Sequence, residues 1–347
     1  MATSLPSRFR GLSGVLLALA MTAVGVRTYL QSDVASLTGA GTGPSTIVYI
    51  KPKTGVQEIA QTLREAGVIH SRWAFLALAY IQGSLTRLQA GEYEFSHGVS
   101  ILEILRKLEA GRVVTHQVTI PEGFTAQDIA RLLAGERLVD TDRFVVLVKD
   151  AKFAESAGVR ASTLEGYLFP DTYRLTRGMG EEEILRIMVA RFRQAAPKDI
   201  EGQAQRLGLD AHSVVTLASL IEKETKLNSE RPVVAGVFYN RLRRNMPLQS
   251  DPTAVYGAVG PRHKITRRDL HRRSPYNTYL KAGLPPGPIA NPGLASLTAA
   301  LNPARVNFLY FVAKNDGSHF FSRTLEQHAQ AVRKYQTRSE GSGDRGS

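Results

Sequence analysis

Apolar positions along the chain follow two rhythms, and each predicts an element. Alternation marks Ile47-Val-Tyr-Ile50 and Gly91-Glu-Tyr-Glu-Phe95 as short strands. A helical period covers Val56–Ala66, Arg72–Gln82 and Ser100–Ala110, with Gly67 and Gly111 ending the first and last of these. This β-α-α-β-α run to about residue 115 makes one small α+β unit. A related phrase follows, with Val118-Thr-Ile120 as the end of a strand, a turn from Pro121 to Thr125 and a helix over Ala126–Ala134. From residue 138 to 200 helices dominate around one motif-bearing loop, Leu164-Glu-Gly-Tyr-Leu-Phe-Pro-Asp-Thr-Tyr173. Helices are then predicted over Ala211–Lys226 and Pro232–Arg244, the second with proline in its first turn. Beyond them the chain reads as loops with short strands at Leu248–Tyr256, Tyr276–Tyr279, Gly283–Pro288 and Phe308–Val312. Lys314-Asn-Asp-Gly317 is a hairpin turn into His319–Ser322, and a last helix ends near Tyr335.

The helix over Ala211–Lys226 carries a glutamate on its apolar side. Glu224 shares a face with Ile221, Leu220 and Leu217, and Leu227 continues the stripe. Glu222 points elsewhere, with Lys226 four positions on as its salt-bridge partner, and is expected to be solvated. Burial disfavours a carboxylate and raises its pKa, which is what a general acid at neutral pH requires. On this pattern alone a local role for Glu224, capping or pairing with Asn228, stays open.

Composition narrows the chemistry. With 347 residues there is room for two modest domains, and 43% apolar against 22% charged residues excludes a disordered chain. The absence of cysteine excludes disulfides, thiol nucleophiles and thiolate metal sites. None of the 8 histidines falls in a metal-ligand spacing, and no glycine-rich nucleotide loop or GxSxG elbow occurs, so neither metal nor cofactor is expected. A net charge of +13 attracts a polyanion, whether nucleic acid, anionic lipid or an anionic polymer.

The N-terminus changes that picture. Arg8 and Arg10 precede an apolar run from Gly11 to Val26, followed by Arg27. The run is short of the ~20 residues that span a bilayer, but a snorkelling Arg27 extends it to Tyr29 and Leu30. Positive charge on the short side places that end inside and the rest outside. A cleaved signal peptide, with Ala18-Leu-Ala20 as the cleavage triplet, is the alternative. Either reading exports the bulk of the protein and counts against nucleic acid as partner.

Two polar loops suit a sugar. Leu248-Gln-Ser-Asp-Pro-Thr253 presents Gln249, Ser250 and Asp251, and Tyr276-Asn-Thr-Tyr279 interleaves aromatic faces with amide and hydroxyl groups. Turn chemistry accounts for either loop taken singly. Arg262–Arg273 is a basic cluster, read either as a solvated loop or as a contact for anionic polymer or lipid headgroups.

Five motifs occur in one order: 164–173, Ala218-Ser-Leu-Ile-Glu-Lys-Glu-Thr225, Leu248–Thr253, Tyr276–Tyr279 and Gly283-Leu-Pro-Pro-Gly-Pro-Ile289. The series resembles the bacterial endolytic murein transglycosylases, the MltG or YceG-like family. The resemblance implies an α+β chain with a cytoplasmic N-terminus (1–10), a transmembrane anchor (11–30), a linker (31–45), a LysM-like subdomain (46–115), a catalytic domain (116–337) and a disordered tail (338–347). It places the protein in the cytoplasmic membrane by a single pass, with the catalytic domain on the periplasmic face. It implies cleavage of the β-1,4 bond between N-acetylmuramic acid and N-acetylglucosamine within nascent strands, closing a 1,6-anhydro ring and limiting strand length. Glu224 matches the family's catalytic glutamate, and Glu165, Glu222, Gln249, Asp251, Tyr276 and Asn277 are then supporting or substrate-holding residues. The implied partners are peptidoglycan strands, membrane lipid through the anchor, and peptidoglycan synthases. Two alternatives remain: a hydrolase using Glu165 or Asp251 as second carboxylate, and a non-enzymatic glycan-binding scaffold.

Overall fold

The computed structural model describes residues 44–258 and 265–336. The expected anchor, most of the linker, Arg262, His263 and the tail therefore lie outside the described residues. Among the described residues no helix is long and apolar enough to cross a membrane.

Chain contacts separate two units. The first runs through His116 and takes back Thr176–Gly178. It consists of β1 (Thr46–Ile50), α1 (Val56–Glu65), α2 (Arg72–Ile81), β2 (Gly91–Phe95) and α3 (Ile101–Glu109). The two strands pair antiparallel, from Thr46 opposite Phe95 to Ile50 opposite Gly91. Alternation sends Val48 and Ile50 into the core and leaves Ile47 and Tyr49 outside. Ser100 and Glu103 form a reciprocal capping box that starts α3, whose Ile104, Leu105 and Leu108 close over Tyr93 and Phe75. Glu92 is buried and satisfied by ion pairs to Arg177 and His116, each at 2.5 Å.

The second unit begins at Gln117, within β3 (His116–Thr119), which pairs with β4 (Thr172–Leu175). Between them lie α4 (Ala126–Gly135), α5 (Thr141–Val148) and α6 (Ala151–Ser156). Then come α7 (Glu181–Ala195), α8 (Ile200–Arg206), α9 (Ala211–Glu224) and α10 (Arg231–Arg243). Short helices α11 (Asp251–Val255) and α12 (Arg267–Leu270) precede α13 (Leu294–Leu301). The hairpin of β5 (Tyr310–Ala313) and β6 (His319–Ser322) and the helix α14 (Leu325–Tyr335) complete it. α9 is the axis of this unit: Val214 to Ile221 are all buried, against α10, α13, α8 and α11. A helix buried on every side lies inside a core rather than on it.

Several expectations change. Leu248–Tyr256 is no strand: it contains α11, for which Ser250 stands at the N-cap with Pro252 in the first turn. Tyr276–Tyr279 is a turn rather than a strand, and the 164–173 motif runs into β4 at Thr172. α9 stops at Glu224, because Thr225 is extended (φ −140°, ψ 139°), so Leu227 does not continue its stripe and is 39% exposed. α13 (Leu294–Leu301) is a helix that the sequence reading does not include: its small residues, with only Ser296 and Thr298 polar, give a weak helical period.

Candidate active site

Glu224 is the last residue of α9, where unpaired carbonyls give the helix its negative pole. The turn that follows is held rigidly. Thr225 N–H donates to the Ile221 carbonyl at 3.2 Å, and its hydroxyl donates to Glu230 at 3.3 Å. Glu230 accepts from the His319 N–H at 2.9 Å and meets His319 Nδ1 at 2.7 Å, so the β6 strand braces the helix end.

Against Glu224 comes the loop before α11. The Ser250 hydroxyl donates to Glu224 Oε1. Ser250 is fixed in turn, its N–H donating to Thr278 Oγ1 at 3.0 Å, while Gln249 N–H donates to the Thr278 carbonyl at 3.1 Å. Gln249 takes a left-handed conformation (φ 51°) to make this corner. Thr253 closes the knot with a hydroxyl–hydroxyl contact to Thr278 at 2.8 Å. The Tyr279 hydroxyl donates to Asp251, and the two polar loops thus form one surface.

Arg241 of α10 underlies it. Its buried guanidinium donates to the carbonyls of Leu309 (2.7 Å), Leu248 (2.8 Å) and Pro247 (3.2 Å) and to Gln249 Oε1 (3.3 Å). It also lies 5.2 Å from the Tyr310 ring centroid. Loss of hydration pushes the half-buried Glu224 carboxyl up to about 7, the Ser250 hydrogen bond pulls it down, the Asp251 charge pushes it up and Arg241 pulls it down. A carboxyl poised there can donate a proton at neutral pH and take one back.

A second constellation lies deeper. Glu165 is buried and accepts from the Ala126 N–H at the start of α4 (3.0 and 3.2 Å), Asn291 Nδ2 (2.9 Å) and the Tyr256 hydroxyl (3.0 Å). Burial lifts its carboxyl to about 7 against these donors. Tyr276 packs on Tyr256 with ring centroids 4.7 Å apart. Glu222, expected to be solvated, is instead buried in an ion pair with Arg231 at 3.1 Å and accepts from the Gly293 N–H at 3.1 Å. The cause is that α9 stops at Glu224, so Lys226 does not follow Glu222 on the same helix, and Arg231 of α10 meets it instead. Glu122 also approaches Arg231, at 3.6 Å, and its carboxyl is raised first by burial and then by the Glu222 charge.

Of the seven expected site residues, Glu224, Gln249 and Asp251 converge around Ser250 and Arg241. Glu165 and Tyr276 share the Tyr256 network. Asn277 is fully buried, its amide donating to the Leu270 (3.0 Å) and Arg272 (2.8 Å) carbonyls, so it shapes the loop from within. In the basic stretch, Arg272 donates to the Ala254 (2.9 Å) and Tyr256 (2.7 Å) carbonyls and is thus occupied by the fold. Ser250 and Tyr279 belong to the two polar loops that the sequence marks, whereas Arg241 is not among the residues it singles out. The one signal for Arg241 is its place on a helix whose neighbours Val237 and Phe238 are core residues. A hollow of about 270 Å³ lined by Tyr239, Asn240, Arg243 and Arg305 contains none of the residues around Glu224. Among the described residues no group of three or more His, Asp or Glu could hold a metal ion.

These features define an α+β protein with a carboxyl raised by burial at a helix end, framed by polar loops. The profile of the YceG-like family matches residues 48–334, and the chain belongs to that family. An endolytic murein transglycosylase of Bacillus subtilis is 34% identical over 304 residues, covering 83% of this chain and 84% of that protein. One from Streptococcus pneumoniae is 31% identical over 323 residues, covering 83% of this chain and 58% of that longer protein. A crystal structure of a YceG-like protein from Listeria monocytogenes superposes with a TM-score of 0.57 at 32% identity, covering 82% of this chain and 98% of that one.

Proposed function

We infer that this protein is an endolytic murein transglycosylase with Glu224 as its single acid/base. The observation that carries the reading is the Glu224 carboxyl held near neutrality at the end of α9, in a chain related over most of its length to enzymes of that name. The protonated carboxyl gives its proton to the glycosidic oxygen as the bond to C1 of N-acetylmuramic acid breaks. The C6 hydroxyl of the same sugar then bonds to C1, and Glu224 takes the hydroxyl proton, which restores the starting carboxyl. No water enters, and the product is a 1,6-anhydro end. A nucleophile already tethered to the reacting sugar needs no second carboxylate to position it.

Ser250 aims the Glu224 carboxyl, and Arg241 holds the Ser250 loop while supplying positive charge beside it. Asp251, Tyr279, Gln249 and Tyr276 are available to hold sugar hydroxyls and ring faces. Glu165 is committed to three donors in the interior and serves the scaffold better than a second-carboxylate role. Asp251 is exposed and close enough to influence Glu224, so it is the residue a hydrolytic reading would use. Reaction in heavy-oxygen water separates the two. A transglycosylase leaves the label out of its product, whereas a hydrolase places one labelled oxygen at each new reducing end.

The N-terminal unit is read as the LysM-like subdomain, and residues 11–30 as a single anchor in the cytoplasmic membrane with the second unit outside. In that place the enzyme acts on nascent strands and limits their length, beside the synthases that make them.

A further inference from the structure

α2 is apolar on both of its sides. Arg72 is the one charged residue among its 10. Phe75 and Ala79 point into the core of the N-terminal unit. Trp73, Ala77, Tyr80 and Ile81 share the opposite face, spaced at helical intervals, and Trp73, Tyr80 and Ile81 are 67%, 75% and 62% exposed. Leu85, just beyond the helix, is exposed as well. Single exposed apolar residues are ordinary, but three large ones in a row along one helix call for a partner.

The composition of the face names that partner's chemistry. Tryptophan and tyrosine prefer the headgroup level of a bilayer, where an apolar ring meets a wet edge. The Arg72 guanidinium lies 4.6 Å from the Trp73 ring centroid, which sets a cation beside the ring. From residue 66 to residue 91 the chain contains no Asp or Glu, while it contains His70, Arg72 and Arg87, the last paired with Glu109 at 2.8 Å. Apolar rings bordered by cations and free of acids fit an anionic phospholipid surface. The chain outside the structure supplies the proximity. The apolar run ends at Val26 and β1 starts at Thr46, a tether of at most about 70 Å when fully extended. A tether of that reach makes docking an intramolecular event, so a small face suffices.

We propose that Trp73, Tyr80 and Ile81, with Arg72, dock the N-terminal unit onto the anionic phospholipid surface of the membrane that holds the N-terminal anchor. The proposal rests on the anchor reading, and the test keeps the two apart. Trp73 is the single tryptophan of the chain, so the tryptophan emission of the full-length protein reports this face alone. The protein is reconstituted into vesicles of phosphatidylglycerol and phosphatidylcholine, with or without bromine high on the acyl chains. Flotation in high salt, which releases a peripheral electrostatic contact, reports the anchor, and quenching of Trp73 by the brominated lipid at low salt reports docking.

Docking predicts strong quenching and blue-shifted emission. Both weaken in phosphatidylcholine alone and in Tyr80→Ser/Ile81→Ser, which retains full activity on soluble glycan fragments. Flotation without quenching, with Trp73 open to acrylamide, overturns docking and keeps the anchor. Neither flotation nor quenching overturns both. Quenching without flotation keeps docking and removes the anchor. Emission that responds to added glycan strands or to protein concentration, and not to lipid, assigns the face to sugar or to a second copy and overturns the proposal.

Discussion

The Ser250 hydroxyl donates to Glu224 Oε1, joining the C-terminus of α9 to the loop that starts α11. The two residues are far apart in sequence, and the bond depends on the Thr278 clasp that fixes Ser250. It restrains the carboxyl rotamer and offers the carboxylate one donor, in a place where burial otherwise favours the neutral acid.

Ser250→Ala removes that donor and leaves the backbone clasp intact. A hydrogen bond to a charged group contributes about 1.5–3 kcal/mol, so kcat is expected to fall roughly ten- to a hundredfold. The alkaline limb of the rate profile moves to higher pH, because the carboxylate has lost a stabilising donor. Steady-state rates across pH on soluble uncrosslinked strands check both, and an unchanged profile rules out the Ser250 contact as an influence on Glu224.

Glu224 also sets a pH dependence of stability. Its pKa rises from 4.5 in the open chain to about 7 in the fold. Between those values the folded chain keeps a proton that the unfolded chain has released, so stability falls as pH rises through that window. Glu165, also raised to about 7, acts in the same direction. Glu224→Gln is expected to flatten part of this slope and to exceed wild type at pH ~8 by about 1–3 kcal/mol. Urea titrations of both proteins at acid and alkaline pH measure the difference, and parallel curves exclude a strained Glu224.

The element order was largely legible in the sequence where period and caps agreed, as in α1, α3 and the hairpin of β5 and β6. Glu224 was legible because three core residues share its face. The i,i+4 pairing expected for Glu222 fails because α9 stops at Glu224, before Lys226. The true partner of Glu222, Arg231, comes from the next helix, and i,i+4 spacing carries no information about such pairs. Ser250 and Arg241 meet Glu224's surroundings only after three separate segments fold together.

That correction is itself testable. Glu222→Ala removes the buried partner of Arg231 and leaves it only Glu122 and Asn228, at an expected cost of about 2–4 kcal/mol, whereas Lys226→Ala at an exposed position should stay within about 0.5 kcal/mol. Denaturant midpoints of the two variants decide, and equal small effects support a solvated Glu222.

Glu165→Ala takes the acceptor from the Ala126 N–H, from the Tyr256 hydroxyl and from one N–H of Asn291, whose amide keeps the Phe124 carbonyl. The expected loss is about 2–4 kcal/mol, from two or more buried donors left unpaired. Anhydro products should persist at a temperature where the variant remains folded. A variant that is fully stable yet inactive would move Glu165 into the chemistry.

The most direct test is mass spectrometry of the fragments released from uncrosslinked peptidoglycan by the wild-type protein beside Glu224→Gln, with matched circular dichroism. Internal cleavage giving 1,6-anhydro-muramic acid ends from the wild type, and none from the folded variant, is the predicted result. Reducing ends from the wild type, or anhydro ends that survive in Glu224→Gln, would contradict a transglycosylase that works through this single carboxyl.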